Sequence, residues 1–152
     1  MINPNLDGIT HVNIYSQGKT ELGRMLSNFY CYEIKTKDGE FNSVEGYWYW
    51  LGIEECKEKE VLRRLYGYDA KKTGNSLKYH FRKRFDNDFQ NKIFNAIWVK
   101  VKNNKNMFLG EVGKLPFEHY YNFNGKIVDV KNKYLWMVKG IDKMREYILE
   151  KQ

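Results

Sequence analysis

A chain of 152 residues with 42% hydrophobic and 16% aromatic content has the make-up of one folded domain, which excludes a disordered protein or a repeat array. Lys and Arg number 26 against 19 Asp and Glu, and the net charge of +7 favours anionic partners such as nucleotides or nucleic acid. Cys31 and Cys56 have neither zinc nor redox spacing, the first residues lack a signal-peptide pattern, and no apolar run approaches the ~20 residues that span a bilayer, so a reduced, cytoplasmic, membrane-free protein is expected.

From the N-terminus, Ile9–Tyr15 reads as a strand, with Val12 and Ile14 alternating with polar His11 and Asn13. Gln17–Glu21 reads as a polar loop, and Leu26–Phe29 as a loop-to-strand junction. Residues 29–43 read as a hairpin turning at Lys37–Glu40, where Gly39 supplies the turn signal. Ser43 is a good N-cap for a helix that carries Glu45 in its first turn and that Gly52 can end. Glu54–Lys72 is rich in helix formers, with Val61, Leu62 and Leu65 on one face and Gly74-Asn75 as a closing signal. Phe89–Lys102 has the clearest helical period, Phe89, Ile93, Ala96, Ile97 and Val101 forming one stripe. A short helix is expected to run through Glu111 to Gly113. Asn124-Gly125 predicts a hairpin joining Tyr121–Phe123 to Ile127–Val130. A last helix is predicted over 136–151, with Met137, Ile141, Met144 and Ile148 on one side. No repeat or Pro-rich linker divides the chain. The expected fold class is α+β, a mostly helical single domain over 1–152 with small β hairpins.

Three stretches carry candidate chemistry. In Ser43-Val44-Glu45-Gly46-Tyr47-Trp48-Tyr49-Trp50-Leu51 a single carboxylate precedes four consecutive aromatics. On a helix Glu45 lies beside Trp48 and Tyr49, an acid next to flat apolar surface that could hold a planar ring and move a proton on it. The competing reading is that these rings, spaced around the helix, are core. Leu77–Phe85 mixes cations with rings, as a strip that tracks phosphates and stacks bases would; a solvated basic turn anchored by two core phenylalanines fits equally. Ser27 and Asn28 either orient a ligand or bond their local backbone. His11, His80 and His119 are scattered, no metal-ligand spacing is present, and neither metal nor cofactor is expected.

Several ordered segments resemble the NADAR (YbiA-like) superfamily. They are Val12-Asn13-Ile14-Tyr15-Ser16, then Gly23-Arg24-Met25-Leu26-Ser27-Asn28-Phe29, then Ser43-Val44-Glu45-Gly46-Tyr47. Ala70–Gly74 and Ala96-Ile97-Trp98-Val99-Lys100 follow in order, so the resemblance spans about residues 10–147. The spelling of Tyr15–Arg24, Glu45–Leu51, Leu65-Tyr66-Gly67-Tyr68 and Leu115–Tyr121 is similar to a bacteriophage branch whose members include factors countering DarT-type toxins.

That resemblance implies cleavage of an N-glycosidic bond: removal of ADP-ribose from guanine in DNA or, as alternatives, hydrolysis of riboflavin-pathway intermediates or a non-catalytic ADP-ribose or nucleic-acid binding module. Such a bond breaks through an oxocarbenium-like state, in which a carboxylate can stabilise charge, activate water or protonate the leaving nitrogen. On this reading Glu45 is the central catalytic acid/base. Ser27 and Asn28 orient the ribose, and Phe29, Tyr47 and Trp48 wall the pocket. Lys19 and Arg24 meet the diphosphate, with Lys19 also the first candidate nucleophile. Lys100 is a supporting or phosphate-binding group, Glu118 and His119 contact substrate, and Lys78, Arg82, Lys83 and Arg84 hold the DNA backbone. Two departures stand out. Gly52 occupies the place where the family often carries a lysine associated with a sugar-linked Schiff base. The family's late Asp-x-x-Trp-Gly segment is absent, with Glu118-His119-Tyr120-Tyr121 and Trp136 in its region.

Overall fold

The computed structural model describes residues 1–77 and 87–151. In chain order its elements are β1 (Val12–Asn13), α1 (Glu21–Leu26), β2 (Ile34–Thr36), β3 (Gly39–Phe41), α2 (Val44–Gly52), α3 (Gly67–Ser76), α4 (Asn87–Asn103), β4 (Phe117–Glu118), β5 (Tyr120–Phe123), β6 (Lys126–Asp129) and α5 (Leu135–Glu150). Short 3-10 helices cover Pro4–Leu6, Glu58–Arg64, Lys105–Phe108 and Val112–Lys114. The fold is α+β, as the sequence pattern predicts; among the described residues it has three small two-stranded sheets, two of them the expected hairpins. Among the described residues no helix is long and apolar enough to cross a membrane.

The chain divides into two compact units, Met1–Ser27 with Val101–Gln152, and Asn28–Lys100. In the first, β1 pairs in parallel with β4, Val12 opposite Phe117 and Asn13 opposite Glu118. The polar residues that alternate with Val12 and Ile14, His11 and Asn13, are themselves buried. Asn13 Nδ2 donates to Tyr120 O and Asn13 Oδ1 accepts from Tyr120 N, both at 2.9 Å, so one amide replaces two ladder bonds. Its own N–H donates to Asp7 Oδ1. His11 Nε2 shares a 2.7 Å bond with the Tyr120 hydroxyl. Burial of polar groups is tolerable here because each bond is made.

The expected polar loop forms over 17–20, and its last residue, Glu21, opens α1. Thr20 Oγ1 accepts from Gly23 N at 2.9 Å, a side-chain N-cap worth about 1 kcal/mol. Six residues with Leu22, Met25 and Leu26 buried make a face too brief to show a period in sequence. The helix expected up to Glu111 is two 3-10 turns, and Gly113 sits within the second rather than after the first. The β5–β6 hairpin forms as predicted, extended to Tyr120–Phe123 and Lys126–Asp129. Asn124 and Gly125 both have positive φ, 52° and 93°, as a type I′ turn requires. On α5, Met137, Val138, Ile141 and Ile148 are buried.

In the second unit the 29–43 hairpin is shorter than expected, with Ile34 opposite Phe41 and Thr36 opposite Gly39. The Glu54–Lys72 stretch is not one helix. A 3-10 helix gives way at Leu65-Tyr66 to extended backbone, and Gly67, at φ +58°, opens α3. Gly74 does not close α3. It is buried inside it, where any side chain would run into the Tyr49 ring. On α4 all five predicted stripe residues are buried, each 3% exposed or less.

Candidate active site

Within the unit 28–100 the first turn of α2 is fastened from three directions. Ser43 Oγ accepts from Gly46 N at 2.9 Å, the expected N-cap, and donates onward to Leu65 O at 2.9 Å. Glu45 N–H donates to Asn28 O at 2.9 Å. Gly46 lies so close to the Leu62 carbonyl that a side chain would collide with it. Glu45 is therefore held on a backbone with little freedom. Its side chain keeps some contact with solvent, yet burial raises its carboxyl to about 7, the nearby Lys71 ammonium offsetting part of the rise. A carboxyl at that value populates both acid and base forms at neutral pH.

The rings after Glu45 divide. Tyr47 is buried, its hydroxyl donating to Asp38 Oδ2 at 2.6 Å, and burial and that carboxylate push the phenol far up. Trp48 meets Phe89 edge-on at 4.9 Å. Tyr49 and Trp50, the rings expected in the core, pack on the cluster of Ile53, Leu62 and Leu77 but are only partly buried. Their polar ends reach Asn75 Oδ1 at 3.1 Å and Glu60 Oε2 at 2.6 Å. Phe29 is half-buried and its carbonyl accepts from Gly67 N at 3.0 Å. The segment Asn28-Phe29 thus bonds the starts of both α2 and α3.

Lys100, on α4, is fully buried, and burial lowers its amine to about 7. Its Nζ lies 5.9 Å from the centroid of Tyr30, two residues beyond Asn28, and Tyr30 stacks on Tyr32. Gly52 ends α2 and is buried. Lys59 is the buried lysine near that end: its Nζ donates to Ile53 O at 3.1 Å and sits 4.0 Å over the Trp50 ring, a cation at a helix C-terminus. Lys57 is exposed.

The remaining sequence-predicted residues belong to the other unit. Lys19 is exposed; its backbone N–H donates to Asp7 Oδ2 at 2.9 Å and its Nζ lies 3.5 Å from Asn5 O. Arg24 donates to Gly18 O at 2.8 Å. Ser27 is buried at the C-terminus of α1, its N–H bonded to Arg24 O. Glu118 pairs with Lys131 at 3.5 Å. His119 is buried and donates from Nδ1 to Ile14 O at 2.7 Å. Burial outweighs that bond and holds the imidazole below its ordinary value. Its ring contacts Tyr121 and Tyr134, each at 5.8 Å between centroids.

Lys78, Arg82, Lys83 and Arg84 lie outside the described residues. Among the described residues no cluster of His, Cys, Asp and Glu has the make-up of a metal site. Sequence reasoning missed Lys71, and it gave Lys100 only a supporting part. A signal for Lys100 was present: it falls four residues after Ala96 and seven after Ile93, on the apolar stripe itself.

No protein-family model matches the sequence, and no curated protein matches it. The fold does match: a small, mixed α+β architecture of the YbiA-like class. The solution NMR structure of the E. coli protein YbiA aligns over 99% of this chain and 95% of its own, with a TM-score of 0.64 at 16% identity. The expected fold is therefore the observed one.

Proposed function

We propose that this protein is an N-glycosidase that removes ADP-ribose from ADP-ribosylated guanine in DNA, in the cytoplasm, undoing the action of a DarT-type toxin. The observation that carries the reading is the Glu45 carboxyl, fixed on the first turn of α2 and raised to about 7 by burial. Titratable groups shifted toward neutrality in this way concentrate at catalytic sites.

As an acid, Glu45 delivers its proton to the departing guanine nitrogen while the bond from that nitrogen to the ribose anomeric carbon breaks. The resulting carboxylate stabilises the oxocarbenium-like centre and then takes a proton from the water that closes the new C–O bond. Lys100 offers a second route. Desolvation lowers its amine to about 7, which favours the neutral form that nucleophilic attack requires. Capture of the anomeric carbon by Nζ and ring opening would give an imine that water hydrolyses, returning the amine. Lys19, exposed to water, lacks that desolvation, so the nucleophile assignment moves from Lys19 to Lys100.

Asn28, Phe29 and Trp48 fit the parts of ribose-orienting and wall residues on the same unit. Tyr47 fits an anchoring part better, since its hydroxyl is committed to Asp38. Ser27, Arg24, Glu118 and His119 remain substrate-contact assignments by resemblance. The net charge of +7 favours DNA over a free riboflavin-pathway intermediate or another small substrate.

The test is incubation with ADP-ribosylated DNA and, separately, with pyrimidine ribosyl-phosphate intermediates, following products by mass. Release of ADP-ribose and restored guanine from DNA is the expected result. Turnover of the small intermediates alone would transfer the site to the other substrate class, and binding without turnover would make the protein a recognition module.

A further inference from the structure

Two tyrosines beside the start of α2 have no part in the chemistry above. Tyr66 and Tyr68 are 52% and 68% exposed, among the largest apolar side chains left open on the surface. Single exposed rings are ordinary, but these two flank a glycine whose position is fixed. Gly67 sits at φ +58° with its N–H bonded to Phe29 O, and Leu65 O accepts from Ser43 Oγ. The backbone that presents both rings is thus tied, through Ser43 and through Asn28-Phe29, to the same turn that carries Glu45. Lys71 follows Tyr68 by three residues, on the same face of α3, and is near enough to act on the Glu45 carboxyl. The backbone donors at Glu45, Gly46 and Gly67 are already used, so these helix starts are not a phosphate cradle. What the rim offers a ligand is ring faces and a cation.

We infer that Tyr66 and Tyr68 form an aromatic lip at the rim of the Glu45 site that stacks on the purine ring of a nucleotide substrate, with Lys71 placed for its phosphate. The inference deepens the proposed function and rests on Glu45 marking the substrate site. Tyrosine suits this position, giving a large rigid face with little conformational entropy to lose.

Calorimetric titration of the full chain with ADP, guanosine 5′-monophosphate and ribose 5-phosphate tests the lip directly. The wild type should bind purine nucleotides more tightly than ribose 5-phosphate. The Tyr66→Ala/Tyr68→Ala double variant should lose roughly fivefold to a hundredfold in purine affinity, the range for one or more stacked bases, and keep its ribose 5-phosphate affinity. Tyr68→Phe should retain wild-type affinity, because stacking does not need the hydroxyl. The ADP and guanosine arms tell whether adenine or guanine takes the lip. Equal purine affinity in the double variant, or purine nucleotides binding no better than ribose 5-phosphate, overturns the proposal. Turnover separates this from the parent reading. Tyrosine-dependent binding without turnover keeps the lip and removes the glycosidase. Turnover with a KM unmoved in the double variant keeps the glycosidase and removes the lip.

Discussion

Two sets of buried polar groups invite comparison. In the unit built from the chain ends, Asp7, His11, Asn13, His119 and Tyr120 form bonds of 2.7–3.0 Å that replace backbone pairing or fasten one segment to another. In the unit 28–100, Glu45 and Lys100 are instead pushed by burial toward neutrality, to about 7 in each case. The first set lowers the cost of burying polar atoms and specifies a fold. The second holds groups able to exchange protons at physiological pH. Burial therefore acts in two ways: where bonds are made it specifies packing, and where it shifts ionisation toward pH 7 it leaves groups suited to proton transfer.

The largest effect that sharpens this comparison is expected at Lys100. Lys100→Met should lower turnover of ADP-ribosylated DNA by a hundredfold or more and abolish borohydride trapping of a sugar adduct, while Lys19→Ala stays near wild type. A urea melt of the same variant should show no loss of stability at pH 7, since methionine fills the site without the desolvation that lowers the Lys100 amine. A destabilised Lys100→Met with full activity would place Lys100 with the structural set. Conversely, Asn13→Ala should cost about 2–4 kcal/mol in the same melt, because it strands the buried Tyr120 N–H and C=O, and should leave the pH dependence of turnover alone.

A smaller effect concerns pH. Glu45 acts as an acid and loses its proton as pH rises through about 7, and Lys100 acts as a free amine and gains one as pH falls through about 7. Activity, measured as kcat/KM, should then be a bell centred near neutrality. Lys71 holds the Glu45 value down, so Lys71→Ala should move the alkaline limb upward by a fraction of a pH unit to about one unit. The linkage to stability has a definite sign. Glu45 has a folded value above its ordinary 4.5, so the stability it contributes is full below pH 4.5 and is lost as pH rises through about 7. Glu45→Gln should flatten the stability profile across that window, by at most roughly 3 kcal/mol.

Features with local causes were legible in the sequence. Ser43 caps α2, Asn124-Gly125 turns β5 into β6, and the stripe on α4 is buried as read. The parallel pairing of Val12 with Phe117 joins residues far apart in the chain and leaves no local trace. The break at Leu65–Gly67 was hidden because the residues around it favour helix, and tertiary bonds to Ser43 and Phe29 override that preference. Glu45 was legible as an acid beside rings, but its shift toward neutrality depends on how α2 and α3 pack. Lys100 was read by its charge, and its place on the apolar stripe was the stronger clue.

The most direct measurement is a carbon-13 NMR titration of the Glu45 side-chain carboxyl in the intact protein. The account predicts a midpoint near 7, moved upward by Lys71→Ala. A midpoint at the ordinary value of 4.5 would contradict it and return Glu45 to the surface carboxylates.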